Sequence, residues 1–228
     1  MTVPGKFCTL RGAIFTCFAL FTASGMAQTV PDPDVAQMPP PAPRSSEPVR
    51  ELSPPQIVAE IQRGGYVVYV RHASTNFSQN DLLSKSFEDC AHQRNLTDAG
   101  RAQARAIGAA ITNPGLPFAR ALASPMCRTM ETARLEFGTA EPVPEMRGAP
   151  LPPADPQRYT ALKELFATPY PRGANLAVVS HGTPFYGVAG PPYLAEGEAA
   201  VVRGLGNEEF EIVARIRVGD WAVLTDAR

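Results

Sequence analysis

Apolar runs alternate with helical apolar patterns along the chain from residue 53 onward. Residues 66–70 and 176–179 are continuous runs of β-branched, aromatic and aliphatic residues, typical of strands that are buried on both faces. Between these runs, apolar residues recur at helical spacing, for example Ile57, Val58 and Ile61. This alternation predicts an α/β domain, a three-layer sandwich with a mostly parallel central sheet and helices on both faces.

Start and stop signals set the bounds of the predicted elements. Ser53 and Pro54 begin a first helix that ends at Gly64 and Gly65, and Thr97 caps a second helix that ends at 113–115. The remaining predicted elements, in chain order, are a strand at 119–123, a helix at about 126–137, a proline-rich loop at 141–156, a helix at 159–166, and a hairpin with strands at 199–202 and 210–216.

The first 52 residues lack the pattern of a folded domain. Residues 1–27 are typical of a secretory signal peptide, with Lys6 and Arg11 before an apolar run at 13–23 and small residues up to Ala27. The alternative is an N-terminal membrane anchor, for which the run is short against the roughly 20 residues that a spanning helix needs. Residues 28–52 are predicted to be a proline-rich disordered linker, which leaves 53–228 as the domain. We therefore expect an exported protein, periplasmic or secreted, whose mature form has no stable membrane insertion.

Composition narrows the class of protein further. The chain has 228 residues, of which 44% are hydrophobic and 19% charged, with a net charge of −1. These values fit a single soluble domain and give no electrostatic reason to expect nucleic acid as a partner. Two of the 4 cysteines, Cys90 and Cys127, would remain after the leader is removed. In an exported protein they form either a disulfide or two buried thiols.

Three of the predicted strand ends carry residues suited to phosphate chemistry. Arg71 and His72 follow the first buried strand, Arg128 lies just after another, and His181 follows the strand at 176–179. Active sites of such sheets lie outside the carboxyl ends of the strands, so these four side chains are expected to converge. Guanidinium groups match phosphate oxygens, and a neutral imidazole beside them can attack phosphorus. The pattern indicates a phosphate pocket.

These residues also carry a family resemblance. Residues 70–75, 95–104, 124–133 and 180–182 resemble, in order and spacing, the Arg-His-Gly signature and the three later motifs of the histidine phosphatase superfamily (phosphoglycerate mutase-like, branch 1). The resemblance implies a phosphoglycerate mutase-like fold and a phosphoric monoester hydrolase with no metal and no cofactor. It implies His72 as the nucleophile, with Arg71, Arg128 and His181 binding the phosphoryl group. Thr75, in the first motif, is placed among the substrate-binding residues. The expected substrate is a small phosphorylated molecule or a phosphoprotein.

The chain departs from the family pattern at Ala73, where Gly is usual, and at Ser74, where many members have Glu. No motif identifies a general acid, for which Asp155, Glu145 and Glu141 are the candidates. A non-catalytic anion-binding module and, less favoured, a phosphoglycerate mutase therefore remain open alternatives. A zinc site is disfavoured, because Arg71 beside His72 would repel a cation.

Other polar residues of the motifs are interpreted as structural. His92 is expected at the surface, and Glu131 and Thr132 are expected to orient arginines or cap structure. Asn76, Ser78 and Asn80 are expected in a plain loop, with lining of the pocket mouth as the alternative.

Overall fold

A computed structural model describes residues 52–149, 155 and 157–226. The predicted signal peptide and nearly all of the predicted linker lie outside the described residues. The helices are α1 (Pro54–Arg63), α2 (Asp98–Thr112), α3 (Cys127–Phe137), α4 (Thr160–Ala167), α5 (Gly182–Ala189) and α6 (Asp220–Asp226). The strands are β1 (Val67–Arg71), β2 (Phe118–Ala123), β3 (Glu141–Pro142), β4 (Asn175–Ser180), β5 (Ala199–Gly206) and β6 (Glu209–Ile216), and short 3₁₀ turns occupy Cys90–His92 and Pro144–Met146.

The six strands form one open sheet in the order β3-β2-β4-β1-β5-β6. β3, β2, β4 and β1 pair in parallel, and β5 and β6 add two antiparallel pairings at the other edge. The mostly parallel sheet is as predicted. In register, Arg71 lies opposite Ser180, and Ala123 lies opposite Val179, so β1, β2 and β4 end at the same edge. Side chains that immediately follow these three strands are thereby brought together.

Helices cover both faces of the sheet, which confirms the predicted three layers. Val68 and Val70 of β1 pack with α1, α2, α3 and α6 on one face. Val67 and Tyr69 point to the other face and pack with α4 and α5. Successive residues of a strand face opposite sides, so burial of both sets explains the continuous apolar run that marks β1.

The sequence-based boundaries hold for most elements. Thr97 caps α2 as predicted, since its hydroxyl accepts a hydrogen bond from the Gly100 backbone N–H at 2.9 Å. Three elements were not predicted: α5, α6 and the two-residue strand β3, which lies in the segment predicted to be a loop. Within the part of the chain that the structure describes, no helix has both the length and the apolar character needed to cross a bilayer.

Glu136 of α3 is a buried acid away from the strand ends. Glu136 is 2% exposed, and neither of its carboxylate oxygens has a hydrogen-bond partner among the described residues. Burial raises the pKa of Glu136 well above its ordinary value, because the charged form is poorly solvated there. The side chain is therefore protonated in the folded protein over a range of pH in which it ionises in the unfolded chain.

We expect Glu136→Met to raise the free energy of unfolding, and the gain over the wild type to grow with pH. Above about pH 4.5 Glu136 releases a proton in the unfolded wild-type chain and keeps it in the folded protein. The contribution of this group to the free energy of unfolding therefore falls by about 1.4 kcal/mol per pH unit until the folded pKa is passed. Urea unfolding at pH 5 and pH 8 measures this. Glu88→Met, at an exposed position, is the matched control and should change the free energy of unfolding by less than about 0.5 kcal/mol. A gain from Glu136→Met that does not change with pH would contradict the assignment.

Candidate active site

His72 lies directly after β1, at the edge where the parallel strands end. Its backbone N–H donates to the Ser180 carbonyl at 3.0 Å, which fixes it beside the end of β4. The side chain is fully buried. Nδ1 lies 2.9 Å from the Ala73 carbonyl oxygen. A carbonyl can only accept, so Nδ1 carries the hydrogen and Nε2 carries the lone pair.

Nε2 of His72 has no hydrogen-bond partner among the described residues. Burial, followed by the positive charges of Arg128 and Arg71, lowers the pKa of His72 well below its ordinary value. The imidazole is therefore neutral at ordinary pH. A neutral ring with a fixed tautomer and an unused lone pair is the form in which histidine acts as a nucleophile.

His181 follows β4 and immediately precedes α5. Its ring stands edge-on to that of His72, with the ring centroids 5.4 Å apart, and its Nε2 lies 2.9 Å from the Ser124 hydroxyl. Burial and the charge of Arg128 lower the pKa of His181 well below its ordinary value. The loop at Gly148 passes close to this ring, since a Cβ added at Gly148 would lie in contact with it, at 3.4 Å.

Two buried arginines complete the predicted set. Arg71 donates from Nη1 to the Leu194 carbonyl at 2.8 Å, and its guanidinium carbon lies 5.1 Å from the centroid of the Tyr193 ring. Arg128, in the first turn of α3, donates from Nη1 to Asp81 Oδ1 at 3.1 Å. The structure thus brings together His72, His181, Arg71 and Arg128, as the strand ends predict. Their roles in catalysis stay predictions.

Arg94 joins this cluster and was missed by sequence reasoning. It is 8% exposed, its backbone N–H donates to Asp81 Oδ1 at 2.8 Å, and its carbonyl accepts from Arg128 Nη1 at 3.3 Å. Its charge contributes to the lowered pKa of His181. An arginine in an irregular polar loop gives no signal of its position, so only the fold shows that the loop folds back over Arg128.

Thr75 contacts a carboxylate that the sequence did not single out, that of Glu196. The Thr75 backbone N–H donates to Glu196 Oε2 at 3.0 Å, and its hydroxyl donates to Oε1 at 2.6 Å. Glu196 lies in the loop between α5 and β5, where nothing in the sequence distinguishes it from a surface glutamate. That Thr75 binds substrate stays a prediction.

The three candidate acids make other contacts. Arg120 binds Glu141 at the sheet edge, at 2.9 and 2.5 Å. Oδ1 of Asp155 accepts from the Gln157 backbone N–H at 2.8 Å, and Glu145 is exposed. None of these contacts is with His72 or His181, and the candidates stay predictions.

The remaining polar residues have structural contacts. His92 is exposed and pairs with Asp89 at 2.8 Å. Glu131 pairs with Arg101 at 2.7 Å, and the Thr132 hydroxyl accepts from the Ala73 N–H at 3.1 Å, which holds the chain just after His72.

Asn76 and Asn80 accept backbone hydrogen bonds within their own loop, and the Ser78 hydroxyl bonds to Asn76. Among the residues with described positions, no group of three or more His, Cys, Asp or Glu could hold a metal ion.

Cys90 and Cys127 form a disulfide, with their Cα atoms 5.7 Å apart. This confirms the disulfide over the alternative of two buried thiols. The bond ties the loop after β1 to the first residue of α3, next to Arg128. Gln93 adds a second tie, since its Oε1 accepts from the Cys127 N–H at 2.9 Å.

Comparison with known proteins agrees with the resemblance in the motifs. The family model described as "Histidine phosphatase superfamily (branch 1)" matches residues 67–146. This segment contains Arg71, His72 and Arg128 and ends before His181 and Glu196. No protein with a curated description matches the chain.

Several solved structures are similar to the chain at low identity. One is the protein histidine phosphatase SixA complexed with tungstate, with 20% identity, 68% of this chain and 98% of that chain covered, and a TM-score of 0.48. Another is YhfR from Bacillus stearothermophilus, with 16% identity, 64% and 94% covered, and a TM-score of 0.47. A third is a mycobacterial glucosyl-3-phosphoglycerate phosphatase, with 16% identity, 66% and 95% covered, and a TM-score of 0.45.

The match over residues 67–146 spans β1, α2, β2, α3 and β3, which together carry three of the four motifs read from the sequence. Through this segment the chain is similar to the histidine phosphatase superfamily, branch 1.

Proposed function

We propose that the protein is an exported phosphatase that hydrolyses a phosphomonoester, on a small molecule or a protein, through a phosphohistidine intermediate on His72. The observation that carries the proposal is the state of His72. Its Nδ1 is committed to the Ala73 carbonyl, and its buried Nε2 has no partner among the described residues. The positive charges of Arg71 and Arg128 act on this ring.

In the first step, the guanidinium groups hold the phosphoryl oxygens and Nε2 attacks phosphorus. The Nε2–P bond forms while the bond between phosphorus and the ester oxygen breaks, and the alcohol leaves with a proton taken from solvent or from an acid. Arg71, Arg128 and Arg94 supply positive charge where negative charge spreads over the oxygens in the transition state. They are already buried and ordered, so little reorganisation is needed during the reaction.

In the second step, a water attacks phosphorus, so that a new oxygen–phosphorus bond forms while the Nε2–P bond breaks. The electron pair of that bond returns to Nε2, a proton of the water passes to solvent, and inorganic phosphate leaves His72 in its original neutral form. His181, with its ring beside that of His72, lies close enough to contact the same phosphoryl group. Its low pKa keeps it neutral, so it acts as a hydrogen-bonding group rather than as a fixed charge.

The proposed location rests on the leader and on the disulfide. Disulfides persist in oxidising compartments, and Cys90–Cys127 is formed in this chain. The signal-peptide pattern of residues 1–27 supports the same location. Secretion of a tagged full-length chain into the periplasm or medium, with the leader removed, would be the direct check.

The experiment that tests the activity is rapid mixing of the purified protein with an aryl phosphate in the presence of a chelator. An aryl alcohol is a good leaving group, so its release depends little on a general acid. We expect a burst of aryl alcohol equal to one per protein molecule, followed by slower turnover, because a covalent intermediate accumulates. Binding of phosphate without any release of alcohol would instead favour the non-catalytic anion-binding module.

A further inference from the structure

Glu196 places a carboxylate beside the Nδ1 edge of the His72 ring. Its Oε1 lies 3.8 Å from His72 Nδ1 and 3.7 Å from Arg71 Nη2. Its side chain is only 10% exposed. The distance to Nδ1 is too long for a hydrogen bond, and Nδ1 already donates to Ala73. The carboxylate therefore acts on the ring through its charge, and the interaction becomes strong only when the ring itself is charged.

The carboxylate is held firmly in this position. Thr75 donates to both of its oxygens, from the backbone N–H and from the hydroxyl. The next residue, Gly197, donates its N–H to the carbonyls of Arg71 and His72, at 3.2 and 3.1 Å. Gly197 has a φ of +84°, and its carbonyl accepts from Trp221 of α6 at 2.9 Å. The loop therefore fixes Glu196 against the end of β1, and glycine suits the backbone that this requires.

We infer that Glu196 is a positioning residue, whose carboxylate stabilises the positive charge that develops on the His72 ring as Nε2 bonds to phosphorus. The inference rests on the proposed function. The ring is neutral before attack, and Nδ1 keeps its hydrogen throughout. When Nε2 gives its electron pair to phosphorus, the ring becomes cationic, and the charge is lost again when the Nε2–P bond breaks. A carboxylate less than 4 Å away favours that charged form.

The groups around Glu196 decide its own ionisation. Burial raises its pKa, while the Thr75 hydrogen bonds and the charges of Arg71 and Arg94 lower it, and the net shift is upward. His72 faces Glu196 from the position directly after β1, and burial lowers the pKa of His72 well below its ordinary value. Of Glu196, His72, Arg71 and Arg94, Glu196 is therefore the one that loses its charge as the pH falls, because its carboxylate takes up a proton.

The test compares Glu196→Gln with the wild type by the rate of the aryl alcohol burst. Glutamine keeps one oxygen that can accept from the Thr75 backbone N–H, and its amide group can donate to the Thr75 hydroxyl, so both contacts can persist while the charge is removed. We expect the burst to slow by roughly tenfold to a hundredfold near pH 7, with KM changed by less than about twofold. Glu198→Gln, two residues along the same loop with the same change in charge, should keep nearly the wild-type rate. Glu196→Asp should recover part of the loss.

The pH dependence separates this role from a structural one. The ratio of the wild-type to the Glu196→Gln burst rate should fall toward one as the pH drops through the pKa of Glu196, because a protonated glutamate is as neutral as glutamine. The ionisation of the substrate affects both proteins and cancels in the ratio. A ratio that stays constant with pH would overturn the inference, and so would equal rates at pH 7. A ratio that falls as the pH rises would overturn it too, by assigning Glu196 as a proton donor. A wild type that binds phosphate but releases no aryl alcohol at all would instead refute the proposed function.

Discussion

Replacing His72 with alanine is expected to lower the rate of aryl phosphate hydrolysis by at least about a thousandfold. His72 is the only one of the two buried site histidines whose Nε2 lacks a partner among the described residues, since Nε2 of His181 lies against Ser124. Removing it leaves the arginines able to bind phosphate but leaves no lone pair aimed at phosphorus. The variant should show no burst and should still bind inorganic phosphate.

The matched control is His92→Ala. His92 is exposed and pairs only with Asp89 in the contacts described, so its removal should leave the hydrolysis rate within about twofold of the wild type. The urea midpoint of each variant shows whether the domain remains folded. A folded His72→Ala variant that kept more than a tenth of the wild-type rate would refute a phosphohistidine on His72. The mechanism would then be direct attack on phosphorus by a water held between the arginines.

The convergence of the site could be predicted from the sequence because parallel strands constrain it. β1, β2 and β4 are adjacent and in register, so whatever follows them meets at one edge, whichever way the rest of the chain runs. His72, Arg128 and His181 were found for this reason. Their hydrogen bonds decide which nitrogen of His72 has no partner among the described residues. These bonds depend on backbone carbonyls whose directions no pattern of residue types encodes.

The loop residues could not be predicted by the same reasoning. Arg94, Asp81 and Glu196 reach the site from irregular segments, and their positions depend on long-range contacts such as the disulfide and the Trp221 hydrogen bond. α5 was missed because residues 182–189 contain Gly and Pro and a mostly apolar, non-periodic sequence. β3 was missed because two residues paired at a sheet edge leave no alternation to detect.

Removing the disulfide by the double change Cys90→Ser and Cys127→Ser is expected to lower the free energy of unfolding by about 4 kcal/mol. The bond closes a loop across a sequence separation of 37. A crosslink of this span lowers the chain entropy of the unfolded state by about that amount of free energy, and breaking the bond restores the entropy. Urea unfolding of the wild type and the double variant measures the difference.

Reductant provides the internal control for this prediction. It should lower the stability of the wild type to that of the double variant and leave the variant unchanged. The wild type denatured without reductant should expose no reactive thiol in the segment from residue 28 onward. Two reactive thiols there, or a wild type insensitive to reductant, would contradict the bond.

The same change should weaken substrate binding, because the loop that the bond tethers carries Asp81 and Arg94. Both contact Arg128 directly, and Cys127 precedes Arg128 in the first turn of α3. We expect KM for an aryl phosphate to rise severalfold in the double variant, while the burst still occurs since His72 is held by β1 and Ala73. Loss of the burst with an unchanged KM would show instead that the tether acts on the nucleophile. The disulfide would then have to be counted among the elements that position His72.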